Sequence, residues 1–331
     1  MTREFINGRV DEFHQHIDTD GNIINASDGG IIYADGCYHW YGQMLQAKPF
    51  AGKGEGGQVT VQGVGMYKSS DLVSWEYEGV ILPCSSDRDS PLYAPMRFER
   101  PKIIYNEKTK KYVLWCHYVR CPGDHGFEDG QAEALCAVSG RVNGLYELEC
   151  ITRPIDDNGF VRDSTVFQDD DGKAYFIYDR QISRQWHKVL EPFERCLHIV
   201  RLTDDYTGFT GEYARIDACD KREAPCMVKK GEYYYLITSG LTGWDYNPAK
   251  YARSRHPMHG WEDMGDPFTG DSERTSFRTQ GTFIFKTREG RDIYMCERHN
   301  TGDFLRCSYI WFPIEYEGGM LRLEYKERFA L

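Results

Sequence analysis

Several things are missing from the sequence, and each absence removes a class of function. No run approaches the roughly 18 consecutive apolar residues of a membrane helix, so a membrane role is not expected. The first ten residues carry charges and lack the apolar stretch of a secretory leader. There is no block of basic residues, and 51 acidic side chains outnumber 40 basic ones for a formal charge of -11. A chain of that kind is a poor ligand for a phosphate backbone, so nucleic acid is not an expected partner. The 11 cysteines include no C-x-x-C pair, which leaves zinc-ribbon and thioredoxin chemistry unsupported. They read instead as buried free thiols, Cys116 in the apolar run Tyr112–Cys116 being one example. Free thiols and no leader imply a cytoplasmic chain if it is complete, and a secreted or periplasmic one if a leader has been removed. No Pro- or Ser-rich linker divides the 331 residues, and no long segment keeps a 3.6-residue apolar period with caps.

What is abundant is Tyr, at 23, and Gly, at 33, residues that favour strands and tight turns. They recur in a pattern. A polar residue leads an apolar strand, a turn follows, and then an aromatic strand. The copies begin at Asp28, Glu99, Asp163, Glu223 and Gln280, with spacings of about 60–70 residues, long enough for a four-stranded blade. Each reads as a hairpin, for example Asp163–Phe167 and Ala174–Tyr178 around the Asp169–Gly172 turn. A Ser or Thr followed six or seven residues later by an aromatic, as in Ser69 and Trp75, marks an outer strand pair. The pattern predicts an all-β, five-bladed β-propeller with four-stranded antiparallel blades, occupying residues 1–331 as one domain. Residues 1–22 are available to close the last blade.

In such a fold the leading residues meet at one mouth of the central channel. A single Asp before a strand is ordinarily a turn cap. Four carboxyls and an amide aimed at one space repel one another and shift each other's pKa values, so they need another explanation. They suit either a hard cation or paired acid/base chemistry on a glycoside. No calcium loop of the Asp-x-Asp-x-Asp-Gly type is present, and the abundant aromatics suit sugar rings. Arg100, Arg162 and Arg222 flank three of the carboxyls and could hold them ionised or bind hydroxyls.

These stretches resemble glycoside hydrolase family 43, particularly its exo-β-1,3-galactanase and galactosidase branch. The resemblance runs from about Asn25 to Tyr316 through Ile24–Tyr33, Phe98–Tyr112, Arg162–Phe167, Glu223–Pro225, Thr238–Trp244 and Arg278–Thr282. It implies an inverting exo-glycosidase that releases terminal β-linked galactose from 1,3-linked galactan or arabinogalactan side chains. α-L-Arabinofuranosidase, β-xylosidase and a non-catalytic carbohydrate-binding propeller are the alternatives. The partner implied is an oligosaccharide or polysaccharide. By position, Glu223 resembles the general acid and Asp163 the carboxylate that orients it. Asp28 or Gln280 would act on the attacking water, and Glu99 would contact sugar hydroxyls. Trp244 and Thr242 would wall the subsite, with Tyr118 and Arg100 as further substrate contacts. Many family members hold a metal on the axis beneath an axial His. Gly281–Phe283 offers no such His after Gln280, so no metal or other cofactor is predicted, although a structural calcium is compatible with the fold.

Overall fold

In the computed structural model, residues 3–47, 60–93, 97–119, 132–155, 159–182 and 195–331 are described. The chain opens with β1 (Glu4–Ile6) and then builds four successive four-stranded sheets. The first holds β2 (Ser27–Ala34), β3 (Cys37–Leu45), β4 (Thr60–Ser69) and β5 (Glu76–Pro83). The second holds β6 (Arg97–Asn106), β7 (Lys111–Val119), β8 (Ala132–Ser139) and β9 (Glu147–Thr152). The third comprises β10 (Phe160–Gln168), β11 (Ala174–Gln181), β12 (Arg195–Leu202) and β13 (Phe209–Asp220). The fourth comprises β14 (Arg222–Lys230), β15 (Tyr233–Gly240), β16 (Lys250–Ser254) and β17 (Glu262–Gly265). Within each sheet the strands are antiparallel and follow chain order.

The last part of the chain departs from that plan. After β18 (Phe268–Thr269), β19 (Gln280–Lys286), β20 (Asp292–Arg298) and β21 (Ser308–Pro313) form a sheet of only three strands. β22 (Glu315–Glu317) and β23 (Met320–Glu324) pair with each other, and β23 pairs in parallel with β18. β24 (Arg328–Ala330) pairs with β1. The fold is therefore an all-β propeller, but the five uniform four-stranded blades expected from the repeat are not what forms. Six sheets of three or four strands are present among the described residues, and two of the six have three strands. The reason is local. Gly318 and Gly319, both at positive φ, make a tight two-residue turn that folds Glu315–Glu324 back on itself. Nor does β1 add a strand to the last repeat. Instead, the Asn7 carboxamide oxygen accepts from the Trp311 backbone N–H at 2.8 Å on β21.

The inner strands β2, β6, β10, β14 and β19 touch in a closed ring. Hydrophobic cores fill the wedges between neighbouring sheets. One example joins Tyr41, Val64 and Met66 of the first sheet to Phe98, Leu114 and Leu135 of the second. The strands β3, β7, β11, β15 and β20, next to the inner strands, are covered on both faces, which explains runs as apolar as Tyr112–Cys116 in β7. Ten of the cysteines are free thiols, seven of them buried. Cys121 lies outside the described residues.

Candidate active site

Every inner strand carries a register irregularity near its start. It falls between Ser27 and Gly30, Glu99 and Lys102, Val161 and Ser164, Glu223 and Cys226, and Gly281 and Phe283. A bulge leaves residues unpaired and re-aims their side chains. Pro101 and Pro225 sit in two of these bulges, where no ladder N–H is needed. Asp28, Arg100 and Ala224 have φ of 54, 53 and 52°, a region costly for non-glycine residues and concentrated at functional sites.

The bulges also correct the alignment of the repeat. Ser27, not Asp28, pairs across the sheet as Glu99 and Glu223 do. Asp28 is the first residue of its bulge, Asp163 the second of its own, and the two reach the axis from different backbone positions.

Three of the five leading side chains, those of Asp28, Asp163 and Gln280, converge on Arg100, a residue expected to contact substrate. The Arg100 guanidinium is 4 % exposed. Its Nε lies 3.1 Å from Asp163 Oδ2 and its Nη2 3.5 Å from Asp28 Oδ1. Nη2 also donates to Gln280 Oε1 at 2.8 Å, and Nη1 to the Gly281 carbonyl at 2.9 Å. Asp163 Oδ2 accepts the Ala224 N–H at 3.1 Å, the residue beside Glu223. Gln280 Nε2 donates to Glu223 Oε1 at 3.3 Å and to Ser239 Oγ at 3.0 Å. Glu99 stands against His117, Nδ1 to Oε2 at 3.0 Å.

Several site residues had not been singled out in the sequence. Arg195 Nη2 donates to Glu223 Oε2 at 3.0 Å, while its Nε is held by Asp179 at 2.6 Å. Glu297 accepts from Ser27 Oγ and from the Asp28 backbone N–H, each at 3.0 Å. Gln43 Nε2 donates to Asp28 Oδ2 at 3.2 Å, and the buried Lys102 ammonium donates to the Asp28 carbonyl at 2.7 Å.

Electrostatics divide the carboxyls. Burial, then the neighbouring Asp163, raises the Glu223 carboxyl to about 8 against the pull of Arg195. Burial also pushes Glu99 up, but the His117 contact and the charges of His117, Arg97 and Arg162 outweigh it and bring the carboxyl to about 2. At neutral pH Glu223 holds its proton and Glu99 does not.

The predicted sugar contacts meet different fates. Trp244 is half-buried and sits edge-on to His299 and Phe304, ring centroids 4.7 and 4.9 Å away. Thr242 is exposed and donates to the Asp245 carbonyl at 2.6 Å in the same turn. Tyr118 has no surface to offer a sugar. It is fully buried in the core, and its hydroxyl donates to the Pro91 carbonyl at 2.6 Å. Arg100 is engaged by protein groups rather than presented to solvent.

Asp28, Glu297 and His299 each bring one donor atom within 4.8 Å of the others. Asp28 Oδ1 and His299 Nε2 are buried without a hydrogen-bond partner. Burial drives the His299 ring down to about 4, so it is neutral and free to ligate. The trio fits a hard or borderline cation. Its imidazole comes from just past β20, not from the inner strand after Gln280.

A model of "Glycosyl hydrolases family 43" matches residues 25–310. A family 43 β-1,3-galactosidase solved with galactodeoxynojirimycin superposes with a TM-score of 0.85 and 29 % identity, covering 99 % of this chain and 100 % of that one. An exo-β-1,3-galactanase from Clostridium thermocellum gives 0.77 and 31 %, covering 99 % of this chain and 66 % of that one. A curated relative, a β-D-galactofuranosidase from Aspergillus niger, is 26 % identical over 243 residues, 69 % of this chain. The chain spans 63 % of that relative's length. By the family match across most of its length, together with the fold and the ring of carboxyls, the chain belongs to glycosyl hydrolase family 43.

Proposed function

We propose that this protein is an inverting exo-glycosidase that removes terminal β-linked galactose from 1,3-linked galactan or arabinogalactan side chains. The observation that carries the reading is Glu223, a carboxyl raised to about 8 at the meeting point of the inner strands. A group that is protonated at neutral pH can deliver a proton to the leaving glycosidic oxygen. The two relatives with β-1,3-galactosidase or galactanase activity supply the sugar and the linkage.

In this reading Asp163 keeps the acid's proton affinity high by its charge and steadies the Ala224 N–H next to it. Arg195 orients the acid through Oε2. Glu99, ionised against His117, accepts hydrogen bonds from sugar hydroxyls. The attacking water is served by Asp28 or by Gln280, whose carboxamide already bridges Arg100 and Glu223. Inversion leaves room for that water with acid and base about 6.5–9.5 Å apart. A cation bound by Asp28, Glu297 and His299 would add positive charge beneath the site. Trp244, braced by His299 and Phe304, offers an apolar face for the pyranose.

The test is product analysis by NMR on β-1,3-galactobiose and longer β-1,3-galactooligosaccharides. The expected product is galactose, released from the non-reducing end first as the α-anomer. The curated relative makes a galactofuranoside the second substrate to try. Release of galactofuranose but no galactopyranose would replace this reading, and release of neither from any substrate offered would remove it.

A further inference from the structure

We propose that Arg100 is the positioning cation of the site, holding the reacting carboxyls and amide in place from the axis without touching the substrate. The proposal rests on the glycosidase reading above and concerns how that site is built.

Four observations carry it. First, one guanidinium reaches groups from three other inner strands: Asp28 on β2, Asp163 on β10, and Gln280 with the Gly281 carbonyl on β19. The strand that supplies it, β6, is the fourth. Second, the side chain is buried, with 4 % exposed. An arginine that recognises substrate needs N–H groups open to solvent, whereas each of the three nitrogens here faces a protein group. Third, its backbone is held at φ 53° inside the bulge. That conformation is costly for arginine and persists only where the surroundings over-determine it. Fourth, the fifth inner strand is reached indirectly. Asp163 receives the Ala224 N–H, and Gln280 donates to Glu223 Oε1. The acid on β14 therefore sits one contact beyond Arg100 through Gln280, and its backbone neighbour Ala224 one contact beyond through Asp163.

The chemistry requires a guanidinium. Its planar fork can serve several acceptors lying in different directions, whereas an ammonium offers a compact point charge on a flexible stem. Removing it takes from Asp28 and Asp163 a guanidinium that pairs with both. It also removes the donor to Gln280 Oε1, one of the groups that fix the carboxamide. A shift of about 1 Å in such groups is enough to cost roughly 10²-fold in rate.

The experiment compares the wild-type chain with Arg100→Ala and Arg100→Lys. Turnover of a β-galactoside and thermal unfolding are followed with and without millimolar guanidinium, with methylammonium as control. We expect Arg100→Ala to lose about 10²-fold or more in kcat with KM nearly unchanged. Guanidinium restores part of kcat and raises the unfolding temperature of this variant alone, and methylammonium does neither. Arg100→Lys keeps the fold and stays slow. If KM rises many-fold while kcat holds, Arg100 binds substrate and the proposal falls. It falls equally if kcat is unchanged, or if guanidinium and methylammonium rescue alike. Should Arg100→Ala fail to fold, the kcat and KM of Arg100→Lys decide. If the wild-type chain hydrolyses no galactoside, the glycosidase reading fails. The guanidinium-specific rise in unfolding temperature then still tests whether Arg100 ties the inner strands together.

Discussion

At the scale of the residue, the acid's behaviour follows from its surroundings. Glu223 is 8 % exposed, with Asp163 beside it and Arg195 on one oxygen. Burial and the like charge win over the arginine, so the proton leaves only near pH 8. The kcat profile should accordingly fall on the alkaline side with an apparent pKa near 8, and the fall should vanish in Glu223→Gln. General acid assistance is worth about 10²–10⁴-fold, so that variant should lose turnover by this amount on substrates with poor leaving groups. On dinitrophenyl galactoside, which needs no proton, it should lose far less. An equal loss on both leaving groups would assign Glu223 another role. Glu99 has the opposite sign. Its folded pKa, about 2, lies below the ordinary value of 4.5. The stability it contributes is present above pH 4.5 and is lost as pH falls through 2. Glu99→Gln should therefore unfold at a lower temperature than wild type at pH 6, with the gap closing towards pH 2. Calorimetry across that range checks it. Of these residues Glu223, Asp163 and Glu99 were legible in the sequence because they lead strands of a visible repeat. The role of Arg100 was not, since a residue next to a carboxylate on a regular strand points to the opposite face. Only the bulge turns it inward.

At the scale of the element, the second strands hold what the sequence reading passed over. Five or six residues into each second strand stands a polar side chain: Gln43 on β3, His117 on β7, Asp179 on β11, Ser239 on β15 and Glu297 on β20. All five contact the leading residues, a neighbour of theirs in the inner strand or, for Asp179, the arginine on Glu223. That second ring was as periodic as the first and could have been read by aligning the aromatic strands rather than the leading acids. The bulges could not, because they answer to close backbone approach. Gly29 shows the constraint: a Cβ there would overlap the Tyr41 carbonyl oxygen on β3. That contact is with backbone and cannot swing away, so β2 and β3 must part to admit a methyl group. Gly29→Ala should therefore lower the unfolding temperature and abolish activity together, since the displaced segment carries Asp28. Surface substitutions usually change stability by less than about 0.5 kcal/mol, and Gly36→Ala, at an open turn with nothing near its Cβ, should cost only the positive-φ strain. A Gly29→Ala variant as stable as Gly36→Ala would mean that the β2–β3 approach is looser than the backbone distances show.

At the scale of the whole molecule, the question is how a ring of sheets stays shut. The all-β character and the ring of inner strands follow from the repeat. The closure does not, because the segments that perform it carry no repeat. Residues 1–22 were expected to lend a strand to the last copy, yet β1 joins β24 and the work passes to one side chain. Asn7 is fully buried. Its Nδ2 donates to the Trp311 carbonyl at 2.8 Å and to the Lys326 carbonyl at 2.9 Å, and its Oδ1 accepts the Trp311 N–H at 2.8 Å. A carboxamide there copies the donor and acceptor of a neighbouring strand's peptide group, so it satisfies the outer edge of β21 without a fourth strand. Phe5, stacked on Trp311 with ring centroids 3.7 Å apart, seals the same edge against water. Removing the amide leaves the buried N–H and carbonyl of Trp311 unserved, at about 1–3 kcal/mol for each stranded group, and takes a donor from the part-buried Lys326 carbonyl. Asn7→Ala should thus destabilise by several kcal/mol. Asn7→Asp should do nearly as much damage, because a carboxylate cannot donate to the two carbonyls. In both variants hydrogen exchange should rise first along β21 and β24, while the amides of β6 and β10 across the ring stay protected. Uniform loss of protection would show that the ring opens as one unit rather than at the seam where its two ends meet.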